Sequence, residues 1–170
     1  MRKSVIIAAC LLFSAAAWGQ NAIKDVVAII RGKDVVSCSY TYTMRGSMPV
    51  KASGTAEIQG HRYHTTADGG LETWCDGTTC WMVDRKAKEV LIAEAGESMV
   101  SHLDEYIGYV HISRFDGKNL SCTIVREDRD VDLDFSASGI TLTESSASDD
   151  SRFVFDVSTL DSSWIVTDLR

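Results

Sequence analysis

The sequence predicts an α+β protein that is mainly antiparallel β, with an N-terminal helix and a strongly curled sheet covered by a helical lid. Apolar and polar residues alternate with period two along most of the chain, and Gly- and Asp-rich turn clusters separate the alternating segments. One interior segment instead has helical periodicity. A sheet of the nine or ten strands predicted here cannot stay flat, and its apolar inner face needs a cover.

The first residues are typical of an export signal. Arg2 and Lys3 precede an apolar run of 13 residues, Val5–Ala17, and Ala17-Trp18-Gly19 supplies small residues for a signal peptidase. We expect cleavage after Gly19, so that residues 1–19 are a signal peptide and residues 20–170 form one exported, periplasmic domain. Lipidation of Cys10 is an alternative, but it would leave very few apolar residues before the cut.

The charge of the chain argues against some partners. The sequence contains 17 Lys and Arg against 24 Asp and Glu. Removal of Arg2 and Lys3 leaves 15 basic against 24 acidic residues, a net charge of −9. This balance argues against nucleic acid and anionic membrane surfaces as partners.

The first elements follow the signal. Asn21 is placed to cap a helix that runs to about Lys33, because Ile23, Val26, Val27 and Ile30 share one helical face. Strands are expected at Ser39–Arg45 and Lys51–Gln59, separated by a loop with the only proline, Pro49.

The stretch Gly54–Val90 predicts an antiparallel meander. Strands at Arg62–Thr66 and Leu71–Cys75 are separated by an Asp-Gly-Gly turn, and Asp76-Gly77 is a strong hairpin signal. Lys88–Ala93 is expected to be the last strand of the meander.

The helical segment is Met99–Val110, which carries an apolar stripe and is the predicted lid. Alternation then returns. The later strands are expected at Ser121–Arg126, Val131–Phe135, Gly139–Glu144, Arg152–Val157 and Trp164–Leu169.

Export makes the cysteines candidates for disulfides. Cys38, Cys75, Cys80 and Cys122 remain after cleavage and allow three pairings. We favour Cys75 with Cys80, which would be directly opposed across a four-residue loop, and therefore Cys38 with Cys122. The same loop places Trp74 and Trp81 together on the other face. A zinc site is a weaker alternative, since ligand spacing is lacking.

Several chemical motifs are absent or weak. His61 and His64 would point to opposite faces of a strand, and Asp130, Asp132 and Asp134 alternate with apolar residues instead of forming a calcium loop. No nucleophile elbow, Walker or dinucleotide motif occurs. We therefore expect no enzyme activity, no metal and no cofactor. A hydrolase would require His102 or His111 to meet a serine and a carboxylate in space.

The order of these features resembles the LolA-like periplasmic carriers of outer-membrane lipoproteins. The resemblance is carried by the Gly-led strand, Asp76-Gly77-Thr78-Thr79, Trp81, the charged return Asp84–Glu89 and the closing strand Ile165–Arg170. It implies an incomplete β-barrel whose apolar cavity binds acyl chains. The lining residues expected on this basis are Ala56, Ile58, Tyr63, Trp74, Trp81, Val83, Met99, Leu103, Tyr106 and Ile107.

The resemblance also implies partners. These are acylated lipoproteins, an inner-membrane lipoprotein-releasing complex and an outer-membrane acceptor, served by a monomeric carrier. One departure is Gly60, where the larger carriers have an arginine implicated in holding the lid. The alternative is a non-enzymatic secreted module of the same fold that binds another lipid or a protein.

Overall fold

A computed structural model describes residues 22–45, 49–96, 107–127, 131–146 and 151–170. Helix α1 comprises residues 22–30, and ten strands follow. The strands are β1 Val35–Met44, β2 Val50–Gln59, β3 Arg62–Ala67, β4 Leu71–Cys75, β5 Thr79–Asp84, β6 Glu89–Glu94, β7 Val110–Phe115, β8 Asn119–Arg126, β9 Val131–Thr143 and β10 Ile165–Asp168.

All ten strands belong to one sheet in the order β10-β6-β5-β4-β3-β2-β1-β9-β8-β7. Neighbouring strands are antiparallel except for β10, which runs parallel to β6. The sheet does not close, because β10 and β7 form its two free edges. The predicted incomplete barrel with a helical lid is therefore wrong, and the fold is a mostly antiparallel open sheet in which α1 is the one complete α-helix of the described residues and Val157–Thr159 is a short 3-10 helix.

The predicted lid fails at its C-terminal end. Ile107 is helical, but Val110 begins β7 and pairs with Ile124 of β8. Val110 fits both a helical stripe with Ile107 and strand alternation with Ile112, and pairing with β8 decides for the strand. Met99, Leu103 and Tyr106 lie outside the described residues.

Two predicted strands merge, and another is lost. Val131–Phe135 and Gly139–Glu144 are parts of the single strand β9, which continues through a bulge where Gly139 has a φ of 64°. Residues 152–157 form no strand. Phe153 and Phe155 are buried while Val154 and Asp156 are exposed, because this segment packs its phenylalanines onto the sheet, Phe155 into the core and Phe153 against Arg62 of β3.

Pairing between strands divides the sheet residues between two faces, since directly opposed residues share a face. One row runs through Val36, Ile58, Tyr63, Cys75 and Cys80. Other rows of this face, which we call the apolar face, contain Cys38, Tyr40, Tyr42, Met44, Val50, Ala52, Ala56, Leu71, Met82, Leu91, Ile112, Phe115, Leu120, Cys122, Ile124, Leu133, Phe135, Ala137, Leu142 and Ile165.

The opposite face, which we call the mixed face, has two parts. Across β1, β2, β8 and β9 it carries mainly Ser and Thr, as alternation in these strands requires. Across β4, β5 and β6 it is apolar and forms a core of Trp81, Val83, Val90 and Ile92. Residues 151–164, which we call the strap, cover this core with Phe155, Leu160 and Trp164.

The pairing of β2 with β3, at the end away from their turn, depends on a close approach at Gly54. A Cβ built on Gly54 would overlap the carbonyl oxygen of Thr66 on the neighbouring strand. Tyr40, opposite Gly54 on β1, donates its hydroxyl to that same oxygen at 3.2 Å. The missing side chain thus lets β3 come close and lets the Tyr40 hydroxyl reach it.

Candidate apolar binding face

The apolar face is the part of the sheet with unusual exposure. Among the side chains that the structure describes, eight large apolar residues within strands are exposed, and two of them, Val125 and Val166, lie on the mixed face. The other six lie on the apolar face and are Met44, Val50, Leu71, Met82, Leu142 and Ile165. Scattered apolar residues are normal on a surface, but a concentration on one face is typical of a binding surface.

A groove of about 460 Å³ crosses β4, β5, β6 and β10. On the apolar face it is lined by Leu71, which is 52% exposed, Met82, which is 43% exposed, Leu91 and Ile165. Asp84 and Glu89, which pair across β5 and β6, line it at one end. The groove therefore offers apolar contact with an acidic boundary.

A second, polar pocket of about 980 Å³ lies at the opposite end of the strands. This pocket is formed by three turns, from α1 to β1, from β2 to β3 and from β4 to β5, and by the residues that follow β9. Its charged lining consists of Lys33, Asp34, Arg62, Asp76 and Glu144. Gly60 in the β2–β3 turn has a φ of 57°, so a larger residue there would be strained.

The expected lining residues fall on both faces of the sheet. Ala56, Ile58 and Tyr63 lie on the apolar face. Trp74, Trp81 and Val83 lie on the mixed face, where Trp81 and Val83 are buried in the core and Trp74 packs against it. Of the lid residues, only the half-buried Ile107 is described.

Sequence reasoning missed the groove. Leu71, Met82, Leu91 and Ile165 alternate in phase with Cys75 and Cys80, so the signal was present. The phase could have been extended from the predicted Cys75–Cys80 opposition to every strand of the meander. The parallel placement of β10 beside β6 has no comparable local signal.

All four described cysteines are free thiols on the apolar face. The prediction that Cys38 pairs with Cys122 is wrong. Cys122 of β8 pairs with Phe135 of β9, which pairs with Tyr42 of β1. Cys122 therefore lies two strands away from β1, at the level of a residue four positions beyond Cys38. Strands are about 4.8 Å apart, and two strand spacings already exceed the roughly 7 Å limit for Cα atoms in a disulfide.

The predicted opposition of Cys75 and Cys80 across the β4–β5 hairpin is present, but the structure has two free thiols there and not the predicted disulfide. The Tyr63 hydroxyl lies 3.6 Å from Cys80 Sγ. Burial and the neighbouring thiols raise the pKa of Tyr63 well above its ordinary value. Burial also raises the pKa of Cys122 to about 11.

The mixed face carries a polar cluster beside the core. His64 stacks on Trp74 with ring centroids 3.6 Å apart, and its Nε2 lies 4.0 Å from Glu72 Oε2, beyond hydrogen-bond distance. Arg85 donates to both Glu72 carboxylate oxygens, at 2.8 and 3.0 Å, and so lowers the pKa of Glu72. Glu57 accepts from Ser37 at 3.4 Å.

The pKa of His64 gives a test by pH. Burial lowers this pKa against the opposing effects of Glu72 and Glu57. The unfolded chain, with an ordinary histidine pKa of about 6.5, therefore takes up a proton before the folded protein does. The contribution of neutral His64 is complete above pH ~6.5 and is lost as the pH falls through the folded pKa.

We expect His64→Phe, which retains a ring to stack on Trp74, to lose less stability than the wild type between about pH 7.5 and pH 5. Urea unfolding at the two pH values measures the difference. His61→Phe, at an exposed turn position, is the control for replacing an imidazole by a phenyl ring. Equal losses for His64→Phe and the wild type would contradict the assignment.

Only one of the two histidines considered for hydrolase chemistry lies in the part of the chain that the structure describes. His111 is exposed on β7, pairs with Thr123 and lies on the Ser/Thr part of the mixed face. His102 lies outside the described residues. Within the described ranges, no group of three or more His, Cys, Asp or Glu side chains is placed to hold a metal ion.

Comparison with known proteins identifies no family. The chain matches no family model, and no curated protein resembles it at a significant level. The resemblance to the LolA-like carriers therefore stays a prediction. No helix in the described part of the chain has both the length and the apolar composition to cross a membrane.

Proposed function

We propose that the protein is a non-enzymatic periplasmic carrier that binds the acyl chains of lipoproteins on the apolar face and moves them toward the outer membrane. The observation that carries this proposal is the concentration of exposed large apolar side chains on one face of the sheet, six of eight within strands. An open apolar surface with adaptable Met and Leu side chains suits a flexible hydrocarbon chain.

The energetics favour such a ligand. Each fully buried methylene group contributes about 0.8 kcal/mol, whereas association costs at least about 4 kcal/mol of lost motional freedom, so on the order of ten buried methylenes are needed for binding without a polar anchor. The groove across β4, β5, β6 and β10 provides a continuous track for part of a chain. The acidic pair Asp84 and Glu89 would disfavour an anionic headgroup at that end.

The cargo and partners rest on the sequence resemblance. Acylated lipoproteins supply the acyl chains, an inner-membrane releasing complex would deliver them, and an outer-membrane acceptor would receive them. The net charge of the exported chain, −9, is consistent with a carrier that does not adhere to anionic membrane surfaces on its own.

A charge placed on the apolar face should abolish binding. We expect Met82→Lys to weaken binding of a fluorescent fatty acid at least about tenfold, because the ammonium group would have to be desolvated under the chain. Met82 is 43% exposed, so the variant should fold. Titration of the fluorescent probe, together with native mass spectrometry using a triacylated peptide, measures the loss.

Val125→Lys is the matched control, since Val125 is 36% exposed in β8 but lies on the mixed face. Its affinity for the fatty acid should equal that of the wild type. Equal affinities for all three proteins, or no binding of either probe to the wild type, would refute acyl binding on this face. Weak binding by Val125→Lys alone would move the site to the mixed face.

A further inference from the structure

The β4–β5 hairpin holds its two cysteines at the closest kind of cross-strand position. The amide of Asp76 donates to the Thr79 carbonyl at 3.2 Å, and the amide of Arg85 donates to the Gly70 carbonyl at 3.0 Å. Hydrogen-bonded and non-hydrogen-bonded pairs alternate along an antiparallel ladder. Counting from either end of the hairpin makes Cys75 and Cys80 a non-hydrogen-bonded pair.

This position suits a bond between the two sulfurs. Opposed residues in non-hydrogen-bonded pairs have Cα atoms about 4.5 Å apart, which is inside the range that disulfides span. The two thiols also share the apolar face and the same row. A bridge here requires no change in strand register.

The two thiols differ in access. Cys75 is 2% exposed, whereas Cys80 is only half-buried and touches the Tyr63 hydroxyl through its sulfur. Burial and the neighbouring Cys80 thiol raise the pKa of Cys75 to about 11. A reagent from solution therefore reaches Cys80 first, and Cys75 reacts only from within the hairpin.

We propose that Cys75 and Cys80 form a reversible dithiol site that exchanges with an external low-molecular-weight disulfide. A bridge between them would enclose only four residues, so it restricts the unfolded chain far less than a bridge between distant strands. Its accessible sulfur keeps it open to reduction. The pair is therefore a redox modification site of the apolar face and not a permanent staple.

The exchange balances with that disulfide as the oxidant. The Cys80 thiolate attacks one sulfur of the external disulfide, which forms a mixed disulfide and releases one thiolate. Cys75, losing its proton to solvent, then attacks the Cys80 sulfur and releases the second thiolate, and both released thiolates take up protons. Two electrons pass from the two cysteines to the external disulfide.

The Tyr63 hydroxyl reports the change. In the dithiol form it contacts the Cys80 sulfur at 3.6 Å, and the neighbouring thiols contribute to its raised pKa. The bridge removes these ionisable neighbours. Oxidation should therefore lower the pKa of Tyr63, whereas formation of a bridge elsewhere in the chain should leave it unchanged.

The test uses glutathione disulfide and the triple variant C10S/C38S/C122S, which retains only the hairpin pair. We expect its mass to fall by two hydrogens, peptide mapping to join Cys75 to Cys80, and excess reduced glutathione to restore both thiols. Ultraviolet titration should show the fall in the Tyr63 pKa. C75S/C80S, the matched control, should form no such bridge and show no change at Tyr63.

Single variants follow the order of attack. C75S should retain one glutathione on Cys80, while C80S should react at least roughly tenfold more slowly because buried Cys75 supplies little thiolate. If C75S does not fold, C80S still tests the order of attack, because it changes the half-buried cysteine and leaves the buried one in place. Two free thiols after oxidation, glutathione retained on Cys80 beside intact Cys75, or a bridge that resists reduced glutathione would overturn the proposal.

Discussion

Gly54→Ala should be the most damaging single-methyl substitution in the sheet, lowering the free energy of unfolding by more than about 3 kcal/mol. The added Cβ would overlap the Thr66 carbonyl oxygen, which is backbone and cannot rotate away. Relief would require β2 and β3 to separate, and the hydrogen bond from the Tyr40 hydroxyl to Thr66 would break with them. Urea unfolding followed by circular dichroism measures the loss.

Gly96→Ala is the matched control for this substitution. A Cβ on Gly96 meets no atom of the described residues within 4 Å, and its φ is not in the left-handed region. We expect its stability to lie within about 0.5 kcal/mol of the wild type. A Gly54→Ala protein as stable as Gly96→Ala would mean that β2 and β3 are not held as close as the structure has them.

The meander was predictable because its signals are local. The alternation of β2 to β5 and the Asp76-Gly77 turn determine strand boundaries within a few residues, and the predicted opposition of Cys75 and Cys80 is confirmed. Each hairpin needs only its own turn and alternation.

The remainder of the fold depends on contacts between distant parts of the chain. β10 pairs with β6 more than 70 residues away, and no pattern within Ile165–Asp168 specifies a parallel partner. The strap alternates like a strand, but Phe153 and Phe155 bury against the sheet instead of pairing in it. Alternation reports burial on one side, and it does not report which kind of neighbour provides the burial.

The candidate site shows the same limit. The prediction that Trp74 and Trp81 pair on the face of the sheet opposite to the cysteines is confirmed. The sequence did not indicate which of the two faces the strap covers. Because the strap lies on the mixed face, the tryptophans are core residues there, and Met82 and Leu71 remain exposed. A segment about 70 residues further along the chain therefore determines which face of the sheet is core and which stays exposed.

Phe155→Ala should distinguish the core on the mixed face from the binding surface on the apolar face. Phe155 is buried in the core with Trp81 and Val83, its ring lies 6.0 Å from that of Trp74, and the Arg85 guanidinium lies over it at 5.6 Å. Loss of a buried phenylalanine leaves a cavity and costs about 3–5 kcal/mol. We expect a decrease of that size in the free energy of unfolding, measured by urea titration.

Val154→Ala, a change at the exposed neighbouring residue of the strap, should alter stability by less than about 0.5 kcal/mol. Fatty-acid affinity provides the second readout. Since Phe155 supports the mixed face, the folded fraction of Phe155→Ala should bind with wild-type affinity, whereas Met82→Lys should lose affinity while retaining stability. If Phe155→Ala instead lost as much fatty-acid affinity as Met82→Lys and kept its stability, the ligand would bind at the strap and the tryptophans beneath it. The assignment of these residues to the core would then be wrong.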